Sequence, residues 1–247
     1  MTRDLLDYQK QYSKQPYEKY QVAFRKRKIK EVLAKYNHKK LLEVGCGLES
    51  IFLEVDTYEQ LTIIEPAKMF YEKALYDSNQ AKNKNIKVNR TFLEDNGIEL
   101  KRENFNFILV SSLLHEIPDQ DLFLRTLYNI SKDDTVIHIN VPNAHSFHRL
   151  LAVEMGLIKS EFEKSDSNIK FQQQQVFNIE NLKNLVRMNN FEVIDSGSYS
   201  FKPFTHSQMQ NMIDISSITE EMLDGLYKME KYLPEIGSEI YVNIKRC

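Results

Sequence analysis

Short apolar runs alternate with longer stretches of helical periodicity along this chain, and the alternation predicts an α/β fold. Seven runs read as strands: 41–44, 61–64, 86–90, 107–112, 136–141, 191–194 and 239–244. Between them, apolar residues return every three or four positions, as on one face of a helix. The stretch 21–37 carries Ile29, Val32, Leu33 and Tyr36 at that spacing. Pro66 reads as the first residue of a helix that runs to about Asn79. Pro118 and Asp119 start another, with Leu122, Leu124, Leu127 and Ile130 towards the sheet. A further helix spans 179–189, and Ser217-Ile218-Thr219-Glu220 reads as a capping box opening the last one. The run 107–112 is nearly all apolar, as a central strand covered on both faces should be. This order predicts a Rossmann-like, doubly wound, seven-stranded and mostly parallel sheet with an antiparallel edge strand. No repeat, low-complexity block or linker divides it, so 1–247 reads as a single domain. Residues 1–20 are a polar arm, either mobile or a lid bringing Tyr12, Tyr17 or Tyr20 to a ligand. The extra material at 145–175 and 200–218 reads as a helical cap.

The first strand ends in Glu43-Val44-Gly45-Cys46-Gly47. Two glycines at a strand-to-helix turn allow a sharp bend and close approach of a ligand to the backbone. Glu65 follows Gly45 by twenty residues and ends the second run, where an acid can accept hydrogen bonds from both hydroxyls of a ribose. Turn and acid together are far more specific than either alone. A dinucleotide is disfavoured: that pattern asks for a third glycine at 50, where the chain has Ser50, and Glu49 brings negative charge towards a pyrophosphate.

With Glu43-Val44-Gly45-Cys46-Gly47, Glu65 and the segment Phe105–Pro118 in place, the chain resembles the class I S-adenosylmethionine-dependent methyltransferases over roughly 20–247, most strongly over 41–145. Asn106 departs from that pattern, which usually has an acid there. The resemblance implies S-adenosyl-L-methionine as cofactor, its methionyl part along Gly45, Cys46 and Gly47 and its ribose on Glu65, with Pro66 and Ser111 alongside. It implies that Glu43 orients the loop or the cofactor's amino group. It also implies that Phe92 and Leu93 flank the adenine, with Glu94 or Asp95 near its amine.

Composition narrows the partners. The chain has 33 basic and 35 acidic residues, a net charge of −2, and this gives no general case for nucleic acid. Its basic cluster, Arg25-Lys26-Arg27-Lys28, reads as a solvated helix face. Two cysteines are too few for a disulfide framework or a zinc cluster, in keeping with a reducing cytoplasm. No apolar stretch approaches the ~18 residues of a membrane span, and the N-terminus does not read as a signal peptide. A monomer or a homodimer fits equally.

Methyl transfer from a sulfonium needs alignment of the nucleophile and removal of its proton. His115, just after the fourth strand, reads as general base or substrate partner; alternatively it or Glu116 only caps the next helix. After the fifth strand, Asn143, His145, His148 and Arg149 overhang the same edge, and the last three share a helical face. His145 is the second catalytic candidate. Glu116, Asn143, His148 and Arg149 are substrate candidates, suited to an anionic small molecule. The alternative makes Asn143 a helix cap and the histidines surface groups. No suitably spaced third ligand accompanies the histidines, so no metal is expected. Residues 145–158 and 201–206 resemble bacterial methyltransferases encoded with surface-polysaccharide genes, which implies O-methylation of a sugar or phosphorylated capsule precursor. Quinone-ring methylation and a non-catalytic, methyltransferase-like scaffold are the alternatives.

Overall fold

A computed structural model describes residues 4–7 and 17–247. It contains a seven-stranded sheet of order β3-β2-β1-β4-β5-β7-β6. The strands are β1 (Lys40–Val44), β2 (Gln60–Ile64), β3 (Ile86–Asn89), β4 (Phe107–Ser111), β5 (Val136–Pro142), β6 (Phe191–Tyr199) and β7 (Glu239–Arg246). All pairings from β3 to β5 are parallel, while β7 runs antiparallel to both β5 and β6. The antiparallel edge expected from the pattern is therefore the β7–β6 pair.

The period-two pleat divides the apolar residues of each central strand between two cores. Leu42, Ile108, Val110, Ile137 and Ile139 face α4 (Gln120–Ile130) and α7 (Ile179–Met188) in the larger cluster. Leu41, Leu61, Ile63, Phe107 and Leu109 face α1 (Glu18–Leu33) and α2 (Lys68–Gln80) in the second. Between these lie α3 (Gly97–Glu103) and two cap helices, α5 (Phe147–Glu154) and α6 (Asp166–Lys170). Helices α8 (His206–Asp214) and α9 (Glu220–Lys228) follow β6 and form a satellite core with Tyr17, Phe24 and Tyr199. No helix among the described residues is long and apolar enough to cross a membrane.

Several local expectations shift, each for a visible reason. Helix α1 starts and ends earlier than 21–37, because Lys35 and Tyr36 turn tightly back onto Val32 and Leu33. Pro66 precedes α2 rather than opening it, since the Ala67 N–H is taken by the Glu65 side chain at 2.9 Å. Thr219, not Ser217, caps α9 by accepting from the Met222 N–H. Leu122 is exposed, and Phe123 takes the sheet-facing place in α4. The basic run of α1 is not a solvated face. Four consecutive residues point around the whole helix, and each finds a carboxylate: Arg25 with Glu239, Lys26 with Glu49, Arg27 with Asp224 and Lys28 with Glu230. Tyr12 lies outside the described residues; Tyr17 and Tyr20 pack into the satellite core.

Candidate functional site

The carboxyl ends of β1, β2 and β4, the loop after β3 and one face of α1 enclose a cavity of about 660 Å³. This is the edge where open α/β sheets hold ligands. Its floor is the turn after β1. Gly45 and Gly47 both adopt left-handed backbone, at φ 76° and 57°. A Cβ on Gly45 would stand 3.0 Å from Leu113 Cδ2, whereas one on Gly47 would meet nothing within 4 Å. The first glycine thus serves packing, and the second leaves the backbone open.

Two carboxylates hold this turn. Glu65 accepts the Gly47 N–H at 3.2 Å through one oxygen and the Ala67 N–H at 2.9 Å through the other. Glu43 accepts the Ser50 hydroxyl and the Ile51 N–H, the latter at 3.1 Å. Burial pushes Glu43 up to about 7, against the downward pull of those two bonds and of Lys26. Cys46 is buried beside both acids; burial first, then their charge, pushes its thiol far up, so it is no nucleophile.

Every residue assigned to the cofactor from the sequence lines this cavity: Glu43, Gly45, Cys46, Gly47, Glu65 and Pro66 around the turn, and Phe92, Leu93, Glu94 and Ser111 beyond it. Phe92 is half exposed, offering a ring face, while Leu93 is buried behind it. Burial raises Glu94 above the ordinary carboxylate range. Glu116 also lines the cavity and is itself buried, with Oε1 3.8 Å from His115 Nε2.

The other candidates stand elsewhere. His115 is turned away from the cavity, into a separate space of about 30 Å³ that it shares with Asn143 and Arg149. Its carbonyl takes the N–H groups of Gln174 and Gln175, so it ties the cap to the end of β4. His145 pairs through Nδ1 with Glu161 at 2.6 Å. Arg149 donates to the carbonyls of Glu161 and Glu163, and Asn143 to those of Glu235 and Gly237. His148 is half-buried beneath the cap, with Nδ1 shielded from solvent, and is also outside the cavity wall. Helical spacing from 145 onward does place His148 and Arg149 in α5. The cap loops then supply partners that a one-dimensional reading cannot see.

Sequence reasoning missed the wall formed by α1. Glu18, Val22, Arg25, Lys26 and Ile29 line the cavity and recur at intervals of three and four, one face of the helix. The spacing was readable, but its mixed polarity hid it from a search for apolar stripes. Leu5 adds to the cavity from the N-terminal side, and Asp4 and Gln172 exchange hydrogen bonds at 2.8 and 3.0 Å. Ser112, at φ 50° after β4, is a further lining residue that the sequence did not single out.

Eight carboxyl groups line the cavity against three basic groups, Lys19, Arg25 and Lys26. Of these, Arg25 and Lys26 already hold carboxylates. Such a surplus favours a cationic ligand and opposes a pyrophosphate. Glu49 no longer carries that argument alone, since Lys26 pairs with it at 2.6 Å.

A family model described as a methyltransferase domain matches residues 15–196. No curated protein sequence matches the chain. Among solved structures, a methyltransferase of Thermotoga maritima shares 14% identity over 94% of this chain and 92% of its own, with a TM-score of 0.59. The plantazolicin methyltransferase BamL, solved with a substrate analogue and S-adenosylhomocysteine, shares 14% over 93% and 87%, with a TM-score of 0.60. The [4+2]-cyclase SpnF shares 14% over 89% and 80%, with a TM-score of 0.57. At such identities the likeness is one of fold.

Proposed function

The chain belongs to the S-adenosylmethionine-dependent methyltransferase-domain family, and from that premise we propose that it methylates a small-molecule acceptor in the cavity above Gly45–Gly47. The observation that carries the reading is the Glu65 carboxylate holding the open Gly47 turn on the floor of that cavity. The residues present fit the cofactor. Glu65 lines the cavity, and its carboxylate oxygens are acceptors of the kind that ribose hydroxyls need. Phe92 presents an apolar surface for a ring, and the carboxyl surplus suits a positive sulfonium. When bound, S-adenosylmethionine supplies an activated methyl group. The chain's own residues then align the acceptor and exclude water, tasks for the apolar wall of Val22, Ile117 and Leu122. Glu116 is the buried cavity group placed to accept the acceptor's proton, a role the sequence reading gave to His115.

A volume of about 660 Å³ leaves room for a small acceptor beside the cofactor rather than a macromolecule. We read the acceptor as a sugar or phosphorylated precursor modified on oxygen, following the sequence resemblance of 145–158 and 201–206. The two free cysteines accord with a cytoplasmic setting. The apolar wall favours one second reading, a flat apolar acceptor such as a quinone ring. Calorimetry with S-adenosylhomocysteine, with NAD as control and a Glu65→Ala variant alongside, tests the cofactor site. Micromolar binding lost in the variant is expected. Binding of NAD instead would overturn the reading, and cofactor binding without turnover on any acceptor panel would favour a scaffold.

A further inference from the structure

Phe147 opens α5 and Phe201 follows β6, and their rings meet at a centroid distance of 4.9 Å. The residues flanking each ring, Ser146 and His148 on one side and Ser200 and Lys202 on the other, therefore converge under the cap. Electrostatics says the same. His148 feels the charges of Lys202, His206 and Arg149, and Lys202 those of Glu18, Glu239 and Arg149.

This layer is polar, buried and under-satisfied. Lys202 is 4% exposed, and its ammonium makes no hydrogen bond or ion pair among the described residues. The buried cations of α1 differ: Lys26 reaches Glu49 at 2.6 Å and Arg25 reaches Glu239 at 2.6 Å. Glu239 is committed to Arg25, Tyr199 and Asn140. Ser146 Oγ, His148 Nδ1, Ser200 Oγ and Asn140 Oδ1 are likewise buried without a hydrogen bond among the described residues. Folded proteins rarely leave so many polar atoms unmatched in one place, because each loses its water without replacement. Water between them would satisfy the neutral groups. It would not neutralise a buried ammonium.

The layer lies one side chain behind the cavity. Glu18 and Arg25 line the cavity wall, stand 3.7 Å from each other, and connect inward to Lys202 and Glu239. We propose that this layer is an anion subsite of the acceptor pocket, in which Lys202 pairs with a carboxylate or phosphate group of the acceptor and Ser146, His148 and Ser200 complete its hydrogen bonds. The assignment rests on the methyltransferase reading above and specifies its acceptor: a neutral nucleophile at the acidic, cofactor end and an anionic group at the Lys202 end. Burial pushes the Lys202 amine down to about 7, with Glu18 and Glu239 pulling upward and Arg149 opposing them. An arriving anion restores its charge. It is also the role that the sequence gave to Arg149, moved to a residue whose cation is not already spent on cap carbonyls.

The test is calorimetric titration of inorganic phosphate, and separately of acetate, into protein saturated with S-adenosylhomocysteine. Saturable binding is expected; preference for phosphate points to a phosphate ester, and preference for acetate to a carboxylic acid. Lys202→Met weakens it about tenfold or more, the scale of one charge-assisted hydrogen bond, without altering affinity for S-adenosylhomocysteine. Lys202→Arg keeps the charge in a different shape and changes the affinity less. Absence of saturable anion binding to the wild type, or identical affinity in Lys202→Met, overturns the assignment. Should the methionine variant not fold, identical affinity in Lys202→Gln and in His148→Leu overturns it equally. Failure of S-adenosylhomocysteine itself to bind would count against the methyltransferase reading instead, and the phosphate titration of the ligand-free protein would still decide the subsite.

Discussion

Glu65 Oε2 lies 3.2 Å from the backbone nitrogen of Gly47, while Oε1 holds the Ala67 N–H, so one side chain fixes both loops that meet at the cavity. A ligand hydroxyl on Glu65 is thereby registered against the glycine turn. Glu65→Gln keeps the shape but removes the charge and turns one acceptor into a donor. Affinity for S-adenosylhomocysteine is expected to fall roughly tenfold to a hundredfold, the range of a charge-assisted hydrogen bond. Calorimetry measures it, with thermal unfolding as the check on the fold.

The two glycines of the turn should separate stability from binding. Both carry a left-handed penalty of about 1–2 kcal/mol for any other residue. Gly45→Ala adds a 3.0 Å contact with Leu113 and should be the more destabilising in urea unfolding. Gly47→Ala meets no atom within 4 Å and should unfold at higher urea than Gly45→Ala. Its added methyl stands in the lining of the cavity, so it should still lose S-adenosylhomocysteine affinity. Equal urea midpoints for the two variants would contradict this division of labour.

Arg149 is engaged with the cap rather than with the wall of the larger cavity. Its guanidinium holds the carbonyls of Glu161 and Glu163 at 2.5–3.0 Å. Arg149→Ala should release the 155–165 segment to limited proteolysis and cost about 2 kcal/mol, while affinity for S-adenosylhomocysteine stays within about twofold. A large loss of that affinity with an intact cap would return Arg149 to the site.

What the sequence disclosed and what it hid follow from the range of the interactions involved. The strands, the Gly45–Gly47 turn and Glu65 are set by period-two patterning and by backbone conformations that only certain residues tolerate. These are local properties, readable along one dimension. The partners of His115, His145 and Arg149 come from the cap, far away in sequence or across irregular loops. No spacing announces them. The basic run of α1 failed for the same reason, since Glu239 and Glu230 lie more than 200 residues from Arg25 and Lys28. Lys202 was invisible because its distinguishing feature is the lack of a hydrogen-bond or ion-pair partner among the described residues.

Arg25 and Glu239 offer a measure of that long-range stitching. Burial alone would raise Glu239, but Arg25, Tyr199 and Asn140 outweigh it and hold the carboxyl below its usual range. Arg25→Met leaves Glu239 buried without its cation and should cost about 3–5 kcal/mol. The double variant Arg25→Met with Glu239→Gln should recover a large part of that loss, because no uncompensated charge then remains. A double-mutant cycle in urea reads the coupling directly, and additive losses would show that the pair is not coupled.

Glu43 makes the opposite contribution, and its sign can be tested by pH. Burial raises its folded value to about 7 from an ordinary 4.5. Between those values the folded protein keeps a proton that the unfolded chain has released, so the folded state binds more protons. Stability from this group is therefore fully present below about pH 4.5 and falls as pH rises towards 7. Glu43→Gln cannot titrate, and its amide can still accept the Ile51 N–H and donate to Ser50 Oγ. Three histidines, His138 lowered to about 4, His206 to about 3 and His148 well below its ordinary value, act in the other direction but are common to both proteins. Comparing wild type with Glu43→Gln removes them. The stability difference between the two should shift in favour of the glutamine variant by on the order of 3 kcal/mol from pH 4.5 to pH 7, measured by urea unfolding. A difference that stays constant across that window would mean that the loop holds Glu43 as an ordinary carboxylate.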